Sequence, residues 1–536
     1  MRGLAGLALA FLTVPAFAAP RVLAVYPTGG QRGQAVTVTL SGEGLKDISA
    51  AWVASPGLSV TLQPGGDAAT RTAVITVAPD ATPGVHELRF LDATGLSNVR
   101  YFQVGTLPEV SEKEPNEEAT PQLVTLPVTI NGRIAQNPDR DCYKFAAKAG
   151  QKIVCEVSGL RVLGSVDDSW LKGYLEIRDS AGKLVASSEG MSDDYYRWDP
   201  LIVFTPERDG EYTATFRDLN WRGSVRSVYR LTLGAVPHAV GLFPLGGQRG
   251  TSVSVAALGA NLGPAQSVAI TASAPDIQQI SVGGALNSRP FQASPWPDVF
   301  AKDGCDSLVA AQSVPWPCVV NGKFRDGKTD YFSFKVELKT HVALEVFSRR
   351  LGTPADPELA LHDAKGAVVQ VDDDARGQDG WIVRVLEPGT YTIAVRDLHG
   401  RGGDAFPYRL HLAPAVVALS ATATPDTATL ARGKSLTLSV KIIREHWDED
   451  VTVVLDPITG MTFEPLTIPK GKTEGTLTVK SLPDAPLGPL RLSVIATAKP
   501  GNVALRAVAR GQETYNIQGT AFQRDTLSPV LLLTEK

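Results

Sequence analysis

The chain has 536 residues, which is more than one hydrophobic core accommodates. At about 100–150 residues per domain, this length predicts four or five domains. The formal net charge is −4 and the pI is about 6.0, so no basic excess points to nucleic acid or to an anionic membrane surface. Fifty Gly, 37 Pro and only three Met favour short strands and tight turns over helices, and therefore an all-β fold.

The first residues, "MRGLAGLALAFLTVPAFAAP", have the pattern of an export signal. Arg2 supplies the positive charge, residues 4–14 are apolar, and Ala16-Phe17-Ala18 is a small-x-small cleavage site. We predict a signal peptide over residues 1–18 and a protein of the periplasm, cell envelope or extracellular medium. The alternative is a buried strand or helix at this end. Later apolar segments are too short to span a bilayer, so no transmembrane segment is predicted.

A glycine-rich pentapeptide occurs twice, in "YPTGGQRGQAVTV" from Tyr26 and in "FPLGGQRGTSVSV" from Phe243. A phosphate-binding loop would need Lys followed by Ser or Thr after its second glycine, and neither copy has them. We therefore predict a turn that leads into the following strand. Its recurrence is explained if a larger unit has been duplicated.

Further landmarks repeat in the same order. "NGRIAQNPDRDCYKF" from Asn131 matches "NGKFRDGKTDYFSF" from Asn321, and "GEYTATFRDLNWRG" matches "GTYTIAVRDLHGRG". Apolar residues alternate in runs of five to seven between Asp-x-x-Gly turns, as expected of antiparallel hairpins with one hydrated face. We predict a tandem, extended array of five β-sandwiches at residues 19–106, 107–235, 236–290, 291–413 and 414–536.

The segment "EKEPNEEATPQLVTLPVTINGRI", with the later "DRDCYKFAAKAGQKIVCEV", resembles the bacterial pre-peptidase C-terminal domain. The shared marks are a Glu-Pro-Asn start, an Asn-Gly turn, an Asp before an aromatic strand and a late Gly-x-Tyr strand. Residues 321–413 carry the later marks as well. The preceding modules resemble immunoglobulin-like plexin-transcription-factor domains, and the last one an immunoglobulin-like domain. The resemblance implies sandwich folds and non-catalytic domains that accompany secreted hydrolases, some of which bind collagen-like or other extracellular targets.

The stretch "SEKEPNEE" is the strongest candidate for a metal site. In an extended segment Glu112, Glu114 and Asn116 project to one side at about 7 Å spacing. Glu117, Asp139 and Asp141 could complete an all-oxygen cage of the kind that Ca²⁺ prefers. Some relatives with the Glu-x-Glu-Pro-Asn start carry calcium there. The alternative is an acidic, hydrated linker between domains.

The second copy departs from this acidic pattern, because its equivalent stretch reads "AKDGCDS". Four aspartates remain there, at Asp303, Asp306, Asp326 and Asp330. We therefore expect no calcium in the second copy, with a cystine in its place.

Export makes the four cysteines candidates for disulfides. Cys305 and Cys318 flank a loop that contains Pro and Trp, and we predict that they are bridged. Cys142 and Cys155 lie on two strands around a turn. Alternation turns Cys142 away from the core and Cys155 toward it, so both a bridge and an inert buried thiol remain open for this pair.

Catalytic motifs are missing from the sequence. The seven histidines are scattered without a His-Glu-x-x-His pattern, and no Gly-x-Ser-x-Gly elbow is present. The paired aspartates lie in loops, where Asp favours turns. The aromatic loop "SDDYYRWDP", with Tyr195, Tyr196 and Trp198, is a candidate contact surface for protein or glycan. The alternative is a cover over the open end of a sandwich.

These patterns predict an exported, non-catalytic binding or cell-envelope scaffold protein that recognises an extracellular protein or glycan. The second hypothesis is an accessory or targeting subunit of a secreted hydrolase. An unrecognised hydrolase is a third class. Ca²⁺ is the expected cofactor. The sequence predicts no oligomeric state.

Overall fold

The computed structural model describes residues 19–159, 162, 171–190, 199–274, 276–500, 503–517, 520–525 and 530–535. The predicted signal peptide lies outside these residues. The described chain forms 48 β-strands and two short 3₁₀ helices, Leu45–Asp47 and Arg349–Leu351. The prediction of an all-β array of sandwiches is confirmed. No helix among the described residues has the length and apolar character needed to cross a membrane.

The first module packs two sheets, with strand orders β1-β3-β6-β5 and β2-β9-β7-β4, and β8 pairs with β7. Its strands are β1 (Arg21–Tyr26), β2 (Gly29–Gln31), β3 (Ala35–Glu43), β4 (Ala50–Val53), β5 (Leu58–Leu62), β6 (Thr70–Val77), β7 (Gly84–Asp92), β8 (Gly95–Leu96) and β9 (Arg100–Gly105). The shorter third module keeps three strands in each sheet, in the orders β20-β22-β23 and β21-β25-β24. They are β20 (His238–Phe243), β21 (Gly246–Gln248), β22 (Ser252–Ala260), β23 (Gln266–Ala269), β24 (Ile277–Ile280) and β25 (Arg289–Ser294).

The second module has two five-stranded sheets, β10-β12-β19-β14-β17 and β11-β13-β18-β15-β16. Its strands are β10 (Glu109–Ser111), β11 (Gln122–Leu123), β12 (Val128–Arg133), β13 (Asp141–Ala147), β14 (Ile153–Ser158), β15 (Gly173–Asp179), β16 (Leu184–Glu189), β17 (Leu201–Phe204), β18 (Gly210–Asp218) and β19 (Val228–Gly234).

The fourth module repeats this topology strand for strand, as β26-β28-β35-β30-β33 and β27-β29-β34-β31-β32. Its strands are β26 (Asp298–Phe300), β27 (Gln312–Ser313), β28 (Cys318–Lys323), β29 (Asp330–Val336), β30 (Thr340–Phe347), β31 (Pro357–His362), β32 (Val368–Asp372), β33 (Trp381–Leu386), β34 (Gly389–Asp397) and β35 (Pro407–Pro414). The second and fourth modules are hereafter called the first and second copies, and their identical strand order supports the duplication predicted from the sequence.

The last module has sheets in the orders β40-β42-β38-β36-β46-β47, β37-β48-β43 and β41-β39-β44-β45. Its strands are β36 (Ala418–Thr424), β37 (Thr427–Ala431), β38 (Ser435–Glu445), β39 (Val451–Leu455), β40 (Met461–Phe463), β41 (Leu466–Ile468), β42 (Glu474–Ser481), β43 (Gly488–Leu492), β44 (Val494–Ala498), β45 (Leu505–Val508), β46 (Arg510–Ile517), β47 (Thr520–Asp525) and β48 (Val530–Glu535).

Alternation along the strands decides which side chains meet between the sheets. In the first copy Tyr143 and Phe145 of β13 face Cys155 and Val157 of β14 in one buried core. The inward assignment of Cys155 is therefore confirmed. One predicted boundary shifts, because β25 crosses residue 290 and extends the third module to Ser294.

The repeated pentapeptide lies where one sandwich meets the next. Its first glycines belong to β2 and β21, which pair in parallel with β9 and β25. A Cβ at Gly29 would meet the guanidinium of Arg230 in the first copy, and a Cβ at Gly246 would meet Arg409 in the second. The two leading glycines thus make room for a buried arginine of the following module. Only the last glycine, Gly33 or Gly250, has the positive φ that we predicted for a turn.

The expectation of an extended array is wrong, because the first module packs against the last. Arg89 of β7 pairs with Asp426, 337 residues away, at 2.5 Å with both side chains buried. Leu96 of β8 packs with Leu531 and Leu533 of β48. Because successive modules also touch one another, the contacts between modules form a closed circuit. Burial of apolar surface at this junction favours closure over an open string. Asp426 leaves the buried Arg89 with a charge partner, without which the arginine would be costly to bury.

Candidate metal centre at the first module boundary

Glu112 follows β10 and lies between the first module and the first copy. Its backbone N–H donates to the carbonyl of Asn131 at 2.9 Å, which continues the pairing of β10 with β12. Its carboxylate accepts the backbone N–H of Arg133 at 2.6 Å and the hydroxyl of Tyr26 at 3.1 Å. Tyr26 ends β1 of the first module. One carboxylate therefore contacts both modules.

Asp141 opens β13 and is fully buried. Its Oδ2 accepts the hydroxyl of Tyr229 at 2.5 Å, and that hydroxyl lies 2.6 Å from the hydroxyl of Tyr143. A Cβ at Gly132 would meet the Tyr229 ring. We interpreted the Asn-Gly pair as a turn, and this interpretation is wrong. The pair lies inside β12, where Gly132, without a side chain, leaves room for the Tyr229 ring.

The ligand atoms of Glu112, Glu114 and Asp141 lie within 4.8 Å of one another. Asn116 is also fully buried, and its carbonyl fixes the loop to β13 by accepting the N–H of Cys142 at 2.8 Å. The side-chain oxygen Oδ1 of Asn116 has no hydrogen-bond partner among the described residues. The side chain of Asn116 also lies beside the Asp141 carboxylate, where it favours the charged form and lowers the pKa. A buried oxygen without a donor is costly, so it calls for a cation or a water.

The other two predicted ligands differ in their surroundings. Asp139 is buried and accepts the N–H of Ala135 at 2.5 Å. Its charge helps to raise the pKa of both Glu114 and Asp141. Glu117 lies half-exposed and pairs with Arg140 at 3.5 Å. Asp139 therefore belongs to the edge of the acidic cluster, whereas Glu117 already has a cation of its own.

Burial and mutual repulsion disfavour the charged forms of these acids. Burial raises the pKa of Glu112 from 4.5 to about 7, and the neighbouring Glu114 adds to the rise. Burial and the charge of Glu112 hold the pKa of Asp141 well above its usual range. Burial, Asp139 and Glu117 raise the pKa of Glu114. A divalent cation would remove this repulsion. The donor set consists of oxygen atoms alone, which fits Ca²⁺.

The second copy has a protein cation in the corresponding place. Its backbone follows the same hydrogen bonds, since Ala301 donates to Asn321 at 2.9 Å and Tyr331 to Cys305 at 2.7 Å. These contacts align Ala301 with Glu112 and Cys305 with Asn116. The guanidinium of Arg325 forms an ion pair with Asp330, the counterpart of Asp141. Arg325 stands one residue after Phe324, where the first copy has Ala135.

All four cysteines are buried free thiols in the structure. The thiol of Cys305 donates to the carbonyl of Lys302 at 3.1 Å, and Cys318 is buried in the core. The Cys305–Cys318 bridge is therefore not formed here and stays a prediction. The group that replaces the acidic cluster in the second copy is Arg325, not a cystine. Cys142 contacts Thr215 at 3.4 Å on one sheet while Cys155 faces the core from the other, which matches the alternative of inert thiols.

Other predicted contact residues fall elsewhere. Tyr195, Tyr196 and Trp198 lie outside the described residues.

Sequence reasoning missed Arg325, because its position is marked only by a comparison of the two copies, and it missed Arg230 and Arg409. Arg230 pairs with Glu109 at 2.6 Å, and Arg409 pairs with Asp298 at 2.5 Å. The signal for both was the tripeptide "YRL", which the two copies share in their last strand.

No family model and no curated protein matches the chain. Among solved structures it is similar to the pre-peptidase C-terminal domain of a Bacillus anthracis collagenase, at 17% identity and a TM-score of 0.17, over 19% of this chain and 93% of that one. It is also similar to the N-terminal four Ig domains of Dscam1 isoform 1.9, at 11% identity and a TM-score of 0.18, over 92% and 98%. A third is a Bacteroides ovatus glucan-utilization protein, SGBP-B, in complex with a mixed-linkage heptasaccharide, at 10% identity and a TM-score of 0.14, over 72% of each chain. Scores this low carry no argument about this protein, and its membership of the pre-peptidase C-terminal family stays a prediction.

Proposed function

We propose that the protein is an exported, non-catalytic binding or cell-envelope scaffold protein, in which Ca²⁺ fastens the first sandwich to the first copy. Glu112, Glu114, Asp141 and Asn116 would supply the oxygens. Its targets are extracellular or envelope proteins or glycans.

One observation carries this proposal. Ligand atoms of three carboxylates lie within 4.8 Å of one another in the first copy, next to the buried side-chain oxygen of Asn116, which has no donor among the described residues. At the same position in the second copy, Arg325 neutralises Asp330, the counterpart of Asp141. In the second copy the positive charge beside this aspartate comes from the protein. The first copy has no arginine at the equivalent position, Ala135, so we expect it to bind a cation from solution. Extracellular modules bind Ca²⁺ at about 10⁻⁴–10⁻³ M, within reach of an exported protein.

The location of the cluster suggests what the ion would do. Glu112 touches Tyr26 of the first module, and Arg133 stacks on the Tyr26 ring at 4.8 Å. A bound cation would offset the repulsion between Glu112 and Glu114, while the ionised Glu112 goes on accepting the Tyr26 hydroxyl and the Arg133 N–H, and would thus strengthen this junction. Together with the buried Arg230 and Arg409, it would hold the modules at defined angles. A rigid frame of this kind leaves loops and outward sheet faces to meet other molecules.

Calorimetric titration of the full mature chain with Ca²⁺ tests the metal site. We expect one site in the millimolar range or tighter, lost in Asp141→Asn and kept in Asp330→Asn, which is the matched variant in the second copy. Retention of binding by Asp141→Asn, or the absence of heat up to several millimolar Ca²⁺, contradicts the proposed site. Mg²⁺ serves as the control, since it demands a tighter octahedral shell.

Co-purification from the native envelope tests the binding role. A stable complex with a secreted hydrolase would favour the accessory-subunit hypothesis, whereas retention on matrix protein or envelope glycan favours the scaffold. A screen with protease and glycosidase substrates tests the non-catalytic assignment. Turnover that survives repurification would reject it.

A further inference from the structure

Trp221 of the first copy combines an exposed side chain with an unfavourable backbone conformation, which packing of the sandwich does not require. Its indole is 43% exposed, and its backbone has φ +58°, in the left-handed region that bulky residues rarely adopt. Strain of this kind persists where the surroundings enforce it, and it is concentrated at functional positions.

The second copy has the same turn without the strain. Trp221 donates its N–H to Asp218 at 3.1 Å, and Gly400 donates to Asp397 at 3.0 Å. Gly400 has φ +69°, which costs a glycine little. The first copy therefore keeps a tryptophan at a position where its counterpart shows that glycine completes the fold.

The indole is part of an ordered stack. The guanidinium of Arg217 lies 4.3 Å from the centre of the Trp221 ring and 4.3 Å from that of Tyr174. Arg217 and Tyr174 are cross-strand neighbours on β18 and β15, and the arginine also donates to the carbonyls of Asp218 and Leu219. The Arg217 guanidinium thus stacks on both rings. In the second copy Arg396 pairs with Glu358 across the same strands.

We propose that Trp221, backed by Arg217 and Tyr174, is a glycan-binding platform on which a pyranose ring stacks. A pyranose has an apolar C–H face and a rim of hydroxyl groups. The exposed indole matches the face, and the exposed neighbours Asn220 and Arg222 offer amide and guanidinium donors to the hydroxyls. Trp, Tyr and Arg also make protein-binding hot spots, but those lie within a ring of contacts that excludes water, whereas both sequence neighbours of this ring are polar and exposed. The inference rests on the proposed binding function and names its ligand class.

Affinity electrophoresis of the full mature chain in gels with soluble β-glucan, xylan or peptidoglycan fragments tests the platform. We expect retardation by at least one of them, weakened about tenfold or more in Trp221→Gly. Because the second copy has glycine in this turn, Trp221→Gly is expected to unfold at the same temperature or higher. Tyr174→Glu, which reproduces the Glu–Arg pair of the second copy, is expected to weaken binding as well. Arg396→Ala, in the second copy, is the matched control and should bind as the unaltered chain does.

Three results would overturn the platform: no retardation by any of the three polymers, equal retardation of Trp221→Gly, or a clear fall in the unfolding temperature of Trp221→Gly, which marks a structural cover. Pull-down of envelope extracts with the unaltered chain and Trp221→Gly separates this failure from that of the proposed function. Equal capture of the same partner by both leaves the binding role in place without the platform. Absence of any capture, together with no retardation, removes both.

Discussion

The two copies have one topology but different chemistry at equivalent positions. In both, a buried arginine of the last strand, Arg230 or Arg409, fills the space over a pentapeptide glycine and pairs with an acid of the first strand. In the first copy, however, a cluster of acids and an aromatic stack stand where the second has ion pairs, Arg325–Asp330 and Arg396–Glu358. The difference teaches that the duplicated frame is structural, whereas among the described residues the cluster of three carboxylates and the exposed, left-handed tryptophan belong to the first copy.

Substitution of the shared arginines, Arg230 and Arg409, should cause the largest losses of stability, and the losses should be of similar size in both copies. Replacing Arg230 or Arg409 by Met leaves Glu109 or Asp298 nearly buried without its cation. We expect each substitution to cost about 3–5 kcal/mol in the free energy of unfolding. Urea denaturation followed by tryptophan fluorescence measures this. A large loss in one copy only would mean that the two junctions are not equivalent.

The ion pair of the second copy is the next test. Arg325→Ala leaves Asp330, which is 5% exposed, without its cation. We expect a loss of about 2–3 kcal/mol that added Ca²⁺ does not restore, because Ala301 cannot replace Glu112 as a ligand. Thermal unfolding with and without Ca²⁺ measures it. Full rescue by Ca²⁺ would mean that the second copy also holds the metal.

The acids of the first copy should make the metal-free protein less stable as the pH rises. The pKa of Glu112 is raised from 4.5 to about 7 in the folded state, so between these values the folded protein binds a proton that the unfolded chain has released. The stability therefore falls as the pH rises through this window, by about 2 kcal/mol after allowance for partial exposure. Unfolding in a chelator at pH 5 and pH 7.5 measures the change. Glu112→Gln should flatten this dependence, and an unchanged slope in that variant would assign it to other groups.

Calcium should produce the smallest of these effects and should depend on Ala135. At 2 mM Ca²⁺ and a Kd of about 10⁻⁴ M the gain is about 1–2 kcal/mol. Ala135→Arg places the guanidinium of the second copy beside Asp141, and it should make the first copy stable without Ca²⁺ and unresponsive to it. Differential scanning calorimetry measures both. A variant that still responds fully would show that the arginine does not replace the metal.

The sequence by itself determined the class of the fold and its duplication. Alternating apolar runs decide which face of a strand is buried, and this depends only on local spacing, so Cys155 was assigned to the core correctly. The repeated landmarks, in unchanged order, predicted two equivalent modules, and the acids of "SEKEPNEE" marked a candidate metal site.

Only the tertiary structure decided which of these groups meet. Asp141 joins Glu112 and Glu114 because the segment after β10 passes from β12 in one sheet to β13 in the other, where the carbonyl of Asn116 accepts the N–H of Cys142. Glu117 pairs with Arg140 instead. Gly29 leaves room for Arg230, about 200 residues later in the chain, and Gly246 leaves room for Arg409, 163 residues later. Arg89 reaches Asp426 only because the circuit of modules closes. Such contacts depend on register and on packing between modules, whose partners are far apart in the chain and leave no local periodicity to read.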